Sequence, residues 1–299
     1  MITNAILYRL SDPAQLSVAT FDECFDTRKF LPCGPTQEKS CGFVPPRGEA
    51  HGALAECVDG QLIMKLMTET KSVPAAVIRR VVDEKIEQIF QSTGRKPGKK
   101  ETRDLRDDVR LALLPDAWPK QVATLIWIDP DANLLVIDAA SQVKADDVVS
   151  FLVAAIPGLA VQLLCTKLSP TGSMAEWLLS GEAPAGFTVD RDCELKASDE
   201  SKAVVRYARC ALDTEEVRNH IQRGKMPTQL ALTWNSHVSF VMNDGLQLKK
   251  IVFLESALNG DKGMTLDNDA FDANVVIVTG ELRQLIPDLV DALGGEITS

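Results

Sequence analysis

The sequence predicts an α+β fold, in which helices and mostly antiparallel strands occupy separate stretches of the chain. Two stretches of the 299 residues carry this prediction. From Pro74, apolar residues recur every three to four positions, the spacing of an amphipathic helix. Residues 228–234, 237–244 and 246–255 instead alternate and are separated by turn residues, the pattern of an antiparallel meander.

The first 73 residues are predicted to hold strands and one long loop. Residues 4–10 alternate loosely and favour a strand, whereas the prolines and glycines of residues 30–50 favour a long packed loop. Asp59-Gly60 lies between two apolar runs, which predicts a β-hairpin.

Two helices are predicted next. Gly94, Pro97 and Gly98 end the helix that begins after Pro74, and a second helix is predicted from about Glu101 to Pro115. Two helices with so short a connection form a helical hairpin, which we expect to project. Its tip and second helix, residues 92–110, carry seven basic and four acidic residues, although the whole chain has a net charge of -10.

Two similar segments suggest related strand-helix units. "DANLLVID" forms the second strand of a pair around Asp129-Pro130-Asp131 and precedes a predicted helix at residues 144–156. "DANVVIVT" near the end of the chain resembles it and is likewise predicted as a strand before a helix. Between them, a helix is predicted with Asp213 as its N-cap, Glu216 in a capping box and Gly224 at its exit.

These elements suggest three regions. Residues 1–73 with 121–170 form a central α+β region, residues 74–120 form the projecting helical hairpin, and residues 171–299 form a C-terminal α+β region with the meander.

Composition favours a soluble globular protein, with 45% hydrophobic and 25% charged residues. The start of the chain does not resemble a secretory signal and no apolar run is long enough to cross a bilayer, so we expect a cytoplasmic protein. The seven cysteines are scattered and never spaced C-x-x-C, which fits reduced thiols. A metal site from Cys33, Cys41, Cys57 and His51 would match no zinc module spacing.

Sequence motifs for catalysis are missing. The chain has no P-loop, G-x-G-x-x-G, G-x-S-x-G or H-E-x-x-H motif, and its three histidines make the usual general base scarce. We therefore expect neither an enzyme nor a cofactor.

Two basic clusters and one aromatic residue are candidates for binding. The first cluster is the hairpin tip, and the second is Arg206, Arg209, Arg218, Arg223 and Lys225. Phosphate binding needs compact positive charge rather than an exact motif, although either cluster could also be a solvated face. Trp118 lies just beyond the second helix, where it either plugs the base of the hairpin or anchors another chain.

A series of motifs from Tyr8 to Glu296 resembles one family. In order they are "YRLS", "PCG" followed by "GFVPP", the basic hairpin ending in "LLP", "WID", "AEWLLSG", the residues of "EEVRNHIQRGK", "LALTW", "FVMND" and "TGELRQLIPDLVDALGGE". This series resembles the RdgC family of recombination-associated proteins.

The resemblance implies a nucleoid-associated bacterial protein without catalytic activity. Members form a ring-shaped homodimer around duplex DNA, bind with little sequence preference and limit the access of RecA recombinase to DNA, with links to replication. Single-stranded DNA is a further ligand to consider, and no membrane partner is implied. A regulator that binds recombination or replication proteins without touching DNA is the alternative, and a nuclease is a second rival.

The resemblance also assigns candidate residues. Trp118 falls at an aromatic position after "LLP" and becomes the candidate dimer contact. Gly98, in a run that is generally basic in the family, and Cys210 after Arg209 depart from the pattern. The candidate DNA-binding residues are Arg79, Lys85, Arg95, Lys96, Lys99, Lys100, Arg106, Arg206, Arg209 and Lys225.

Overall fold

The structure is a computed structural model that describes residues 2–11, 18–49, 51–257 and 268–297. It shows an α+β fold with two antiparallel sheets, one of seven strands and one of five. In chain order the elements are β1 (Ile6–Leu10), α1 (Val18–Phe25), a 3-10 helix (Asp26–Arg28), β2 (Lys39–Val44), β3 (Ala55–Val58), β4 (Gln61–Lys71), α2 (Ala75–Thr93), α3 (Lys99–Leu113), β5 (Pro119–Asp129), β6 (Leu134–Ile137), α4 (Gln142–Ala155), β7 (Val161–Leu163), α5 (Pro170–Ser180), β8 (Phe187–Ala197), β9 (Val204–Tyr207), α6 (Glu215–Gln222), β10 (Lys225–Trp234), β11 (Val238–Asn243), β12 (Leu248–Phe253) and α7 (Asn268–Ala292).

The chain divides into two compact units. The smaller unit comprises Phe25–Val44 and Lys65–Thr124 and contains α2 and α3. The larger unit comprises Met1–Cys24, Pro45–Met64 and Leu125–Ser299.

The larger unit holds the five-stranded sheet, whose strands follow the order β12-β11-β10-β8-β9. Elsewhere in this unit β1 pairs with β6 and β7, and β6 also pairs with the end of β5. Leu282, Leu285 and Leu289 of α7 are buried in one cluster with Leu230 and Phe240 of the sheet. Trp234 Nε1 donates a hydrogen bond to Asp288 Oδ2 at 2.8 Å, so polar contacts also tie α7 to β10.

Most of the predicted elements are confirmed. β1, the strand pair β5 and β6, the helix α4 and the meander of β10, β11 and β12 occur where the sequence indicates them. Asp59 and Gly60 have φ angles of 51° and 76°, the left-handed pair that a tight hairpin turn needs. The helices α2 and α3 also match their predicted positions.

The strand predicted at "DANVVIVT" is wrong, because these residues lie inside α7. Val278 and Leu282 are buried at helical spacing with the later leucines of the same helix. Tertiary packing of this face outweighs the β propensity of the valine run. The expected second strand-helix unit is therefore absent from this segment, and the suggested relation to β6 and α4 does not hold.

The long loop predicted for residues 30–50 is wrong in part, because β2 pairs with β4 within the smaller unit. Gly42 lies opposite Met67 in this pair. A Cβ atom at Gly42 would lie 2.4 Å from the Cα of Phe30, so the preceding backbone crosses the strand closely. The glycine that suggested a loop instead makes room for this approach.

The N-cap predicted for α6 is also wrong. Thr214, rather than Asp213, is the N-cap, and its side chain accepts a hydrogen bond from the backbone N–H of Val217. Glu216 does not form the predicted capping box but accepts a hydrogen bond from the Tyr207 hydroxyl at 3.2 Å. Burial is the main cause that raises the pKa of Tyr207 to about 12, so the hydroxyl is a donor at neutral pH.

A buried carboxylate joins three segments of the smaller unit. Glu69 of β4 is 2% exposed and accepts hydrogen bonds from the backbone N–H of Cys33 and from Gln121 Nε2, both at 2.7 Å. The hydrogen bond from Gln121 is the largest of the effects that lower the pKa of Glu69. The charged form of Glu69 therefore stabilises the fold of this unit.

We expect Glu69→Gln to flatten the dependence of thermal stability on acid pH. A carboxyl with a lowered folded pKa stabilises above its ordinary pKa of about 4.3, and this contribution is lost as pH falls through the folded pKa. The melting temperature of the unaltered protein should fall more steeply below about pH 4.3 than that of the variant. Glu87→Gln, at an exposed position of α2, is the control, and parallel curves for all three proteins would contradict the assignment.

Candidate nucleic-acid interface

The helices α2 and α3 form a packed pair in the smaller unit. α2 ends at Gly94, which has a φ of 73° and donates its N–H to the carbonyl of Phe90 at 2.8 Å. α3 begins after Gly98, which has an extended backbone. Val82 and Val109 are the buried residues of the two helices, so the other faces are largely open to solvent.

One face of α3 carries a row of basic residues that we call the α3 basic stripe: Lys99, Arg103, Arg106 and Arg110. All four are exposed, and their spacings of four, three and four residues place them within roughly 60° around the helix axis. The row extends about 16 Å along the axis. Compact positive charge of this kind suits a phosphate backbone.

Acidic residues of α3 lie mainly on the other side of the helix. Glu101, Asp104 and Asp108 are separated from the centre of the α3 basic stripe by more than about 100° of rotation, while Asp107 lies between the two rows. The helix therefore presents opposite charges on different faces rather than a mixture on one face.

Three members of the α3 basic stripe keep their charge available. Within the described residues Lys99, Arg103 and Arg106 form no ion pair, whereas Arg110 binds Glu38 with an Nε to Oε1 distance of 2.7 Å. An unpaired surface cation can bind a phosphate without first breaking an ion pair with a carboxylate. Lys99, Arg103 and Arg106 are therefore stronger candidates for anion binding than Arg110.

The other predicted residues near the connection differ in their surroundings. Arg95 is paired with Glu101 at 3.0 Å, and Lys96 Nζ lies 5.9 Å from the centre of the Phe90 ring. Lys100 is exposed but is rotated about 100° from Lys99. On α2, Arg79 is exposed and Lys85 is half-buried.

The second predicted cluster lies in the larger unit, and carboxylates accompany it. Arg206 Nε is 2.6 Å from Glu194 Oε2, and this contact is the main cause that lowers the pKa of Glu194. Arg209 has a φ of 57° and donates its backbone N–H to Asp192 Oδ1 at 2.8 Å. Lys225 Nζ lies 3.2 Å from Nδ1 of His220. Of these three side chains, Arg206 is held by a carboxylate, so its charge is less available than those of the three unpaired residues of α3.

Charge is divided unequally between the two units. The smaller unit contains 16 lysines and arginines against 11 aspartates and glutamates, a net charge of +5. The larger unit contains 16 against 31, a net charge of -15. The smaller unit is therefore basic although the net charge of the whole chain is negative, and this unit carries the α3 basic stripe.

Trp118 is 91% exposed at the start of β5. The interpretation that it plugs the base of the helix pair is therefore wrong, and an anchor for another chain remains. Val122 of β5, which begins directly after Trp118, is 41% exposed. Tryptophan is enriched among the residues that contribute most to protein interfaces.

Sequence reasoning missed Arg103. It lies four residues after Lys99 and three before Arg106, and the sequence analysis names both of these as candidate DNA-binding residues. Applying helical spacing to the basic residues of this segment, rather than to its apolar residues alone, would have found it.

Comparison with known proteins gives a consistent result over the whole chain. A family model described as "Putative exonuclease, RdgC" matches residues 1–296. A protein of Dechloromonas aromatica is 39% identical over 298 residues, covering 98% of this chain and 97% of its own length. Proteins of Herminiimonas arsenicoxydans and Cupriavidus necator are each 40% identical over 294 residues, covering 98% of this chain and 97% and 98% of their own lengths. All three relatives are named "Recombination-associated protein RdgC".

These matches place the chain among recombination-associated proteins. The chain belongs to the RdgC family. No helix in the described ranges is long and apolar enough to span a membrane. Over the same residues, no group of three or more histidine, cysteine, aspartate or glutamate side chains is arranged to hold a metal ion.

Proposed function

We propose that the protein is a non-catalytic DNA-binding protein that contacts the phosphate backbone with little regard to sequence. The observation that carries the proposal is the unpaired part of the α3 basic stripe, set in a unit with a net charge of +5. Phosphates are the same in every sequence, so side chains that bind them position the protein without reading bases.

The two units divide the electrostatic work in this proposal. The smaller unit attracts DNA through α3, and the charge of -15 on the larger unit discourages indiscriminate attachment of its surface to polyanions. Arg206, Arg209 and Lys225 act as secondary contacts, because they belong to the acidic unit and a phosphate must also compete with Glu194 for Arg206.

A competition assay tests the lack of sequence preference. A fluorescent duplex is bound at low salt and then displaced by unlabelled duplexes of the same length and unrelated sequence. We expect the competitors to act at similar concentrations. Displacement by one sequence alone would show base recognition and contradict the proposal.

The protein acts, in our proposal, as a ring-shaped homodimer that surrounds duplex DNA in the nucleoid. Bound in this way, it limits the access of RecA recombinase to the same DNA and supports replication. The family membership and the exposure of Trp118 support this assembly. A closed ring also retains DNA when each phosphate contact is weak, because several contacts act together.

We expect Trp118→Ala to weaken one dimer contact. Truncating a tryptophan that is a hot spot of an interface costs about 2 kcal/mol, which is about 30-fold in the dissociation constant of that contact. Sedimentation over a concentration series measures the change. Leu31→Ala removes another exposed apolar residue of the smaller unit and should leave assembly unchanged. Identical assembly of all three proteins would remove Trp118 from the interface.

Two other functions have different signatures. A regulator that binds recombination or replication proteins without touching DNA would show no salt-sensitive duplex binding. The family description names an exonuclease, which would shorten end-labelled DNA in the presence of magnesium ions. We expect the label to stay in full-length DNA under conditions in which the protein is fully bound.

A further inference from the structure

One residue of the α3 basic stripe is held by a carboxylate from outside α3. Arg110 binds Glu38, 72 residues away along the chain, through two contacts: Nε to Oε1 at 2.7 Å and Nη2 to Oε2 at 2.8 Å. Two parallel contacts are the favoured arrangement of a guanidinium group on a carboxylate. Glu38 therefore neutralises the charge at the C-terminal end of the α3 basic stripe.

The backbone of Glu38 is fixed by the neighbouring strands. Glu38 directly precedes β2, and its carbonyl accepts a hydrogen bond at 2.8 Å from the N–H of Lys71, the last residue of β4. Both residues belong to the smaller unit, as does Arg110. The carboxylate is thus presented to α3 by a strand end and not by a free loop.

The pair between Glu38 and Arg110 is open to solvent. Their side chains are 44% and 52% exposed, so a phosphate group can reach the guanidinium group. An exposed ion pair is weak in water, which means that a phosphate can compete with Glu38 for Arg110. The competition lowers affinity for DNA, because the phosphate has to replace an existing contact and then lies near a second negative charge.

Glu38 also shortens the part of the α3 basic stripe that is free to bind. The unpaired residues, from Lys99 to Arg106, span about 10 Å along the helix axis, and Arg110 would extend this length to about 16 Å. A duplex carries one phosphate charge per about 1.7 Å of its axis, so a longer row of free cations reaches more phosphates.

Anchoring of α3 is the other role to consider for Glu38. Apolar contacts already hold this end of the helix, since Val109 and Leu114 are each 1% exposed. Burial of two such side chains outweighs one exposed ion pair. We therefore expect α3 to keep its position when the charge of Glu38 is removed.

We propose that Glu38 limits the affinity of the protein for DNA by competing with phosphates for Arg110. The inference rests on the proposed function and adds to it a residue that sets the strength of binding. Weak contacts with the phosphate backbone let a protein move along DNA, so a built-in limit suits binding without sequence preference.

Fluorescence anisotropy with a random-sequence duplex tests the proposal. We expect Glu38→Gln, which removes the charge but keeps the shape of the side chain, to bind about 3-fold more tightly at moderate salt. The slope of log affinity against log salt should steepen by about 0.9, the value for one added phosphate contact. Asp107→Asn is the control, because Asp107 lies beside the α3 basic stripe and forms no ion pair among the described residues. It should change the affinity less and leave the slope nearly unchanged.

A double variant connects the effect to Arg110. When Arg110→Ala is also present, the gain from Glu38→Gln should fall to that of Asp107→Asn, because no guanidinium group is left to release. The melting temperature of Glu38→Gln should stay close to that of the unaltered protein, because an exposed pair contributes little to stability.

Three outcomes would overturn the proposal. They are weaker binding of Glu38→Gln, which would indicate an anchoring role, equal gains from Glu38→Gln and Asp107→Asn, and a gain that persists in full without Arg110. If these results occur while the unaltered protein shows salt-sensitive binding, the proposed function stands without the role of Glu38. If the unaltered protein shows no such binding, both fail.

Discussion

Reversing the three unpaired charges of α3 should reduce affinity for duplex DNA by about 100-fold or more at moderate salt. The change is Lys99→Glu with Arg103→Glu and Arg106→Glu. Each substitution removes one phosphate contact and places a carboxylate where a phosphate would lie. The loss should be similar for every duplex sequence, because backbone contacts carry no base information.

The salt dependence of the variant provides a second readout. Each lost phosphate contact lowers the slope of log affinity against log salt by about 0.9, so three lost contacts lower it by about 2.7. Fluorescence anisotropy over a salt series measures both the affinity and the slope.

A charge-matched variant controls for the change in net charge. Lys144→Glu, Lys167→Glu and Lys250→Glu alter three exposed lysines of the larger unit and change the net charge equally. This control should bind DNA nearly as well as the unaltered protein. Equal weakening of the two variants would mean that total charge, rather than the α3 basic stripe, determines binding.

We expect Gly42→Ala to destabilise the smaller unit by about 3 kcal/mol. The added Cβ atom would lie 2.4 Å from Cα and 2.5 Å from the backbone nitrogen of Phe30. Both neighbours are backbone atoms, so rotation of a side chain cannot relieve the overlap. Either β2 or the segment before it has to move, which disturbs the bridge between Lys29 and Phe43.

Denaturant unfolding followed by circular dichroism measures this effect. Gly34→Ala is the control, because the nearest atom to its added Cβ would be Gln37 Oε1 at 3.9 Å. A glycine replaced without strain is neutral or stabilising by up to about 1 kcal/mol. Equal stability of Gly42→Ala and Gly34→Ala would show that the crossing at Phe30 is not tightly packed.

Local sequence signals predicted much of the fold. Asp59-Gly60 identifies its hairpin because its left-handed backbone restricts the residue types. Apolar residues that recur every three to four positions, with Gly94, Pro97 and Gly98 between them, identify the two helices. The valine run in α7 gave the wrong prediction, because its conformation depends on burial against a sheet built from distant residues. Gly42 was misleading for the same reason, since its close approach to Phe30 is a tertiary feature.

The candidate site was predictable in position but not in detail. The positions of the basic residues in the sequence, read at helical spacing, predict the α3 basic stripe, including Arg103. The sequence could not show that Arg110 forms an ion pair with Glu38 or that Arg206 forms one with Glu194. Both pairs are tertiary contacts between different elements of the fold. Nor could it distinguish a plug from an exposed anchor at Trp118, because that depends on what packs beneath the residue.

Contact with the phosphate backbone is tested by measuring the binding of random-sequence duplex DNA across a salt series. We expect log affinity to fall linearly with log salt, at about 0.9 per phosphate contact, with the same slope for two unrelated sequences. Either an absence of binding at low salt or an affinity that does not change with salt would contradict backbone contact with DNA.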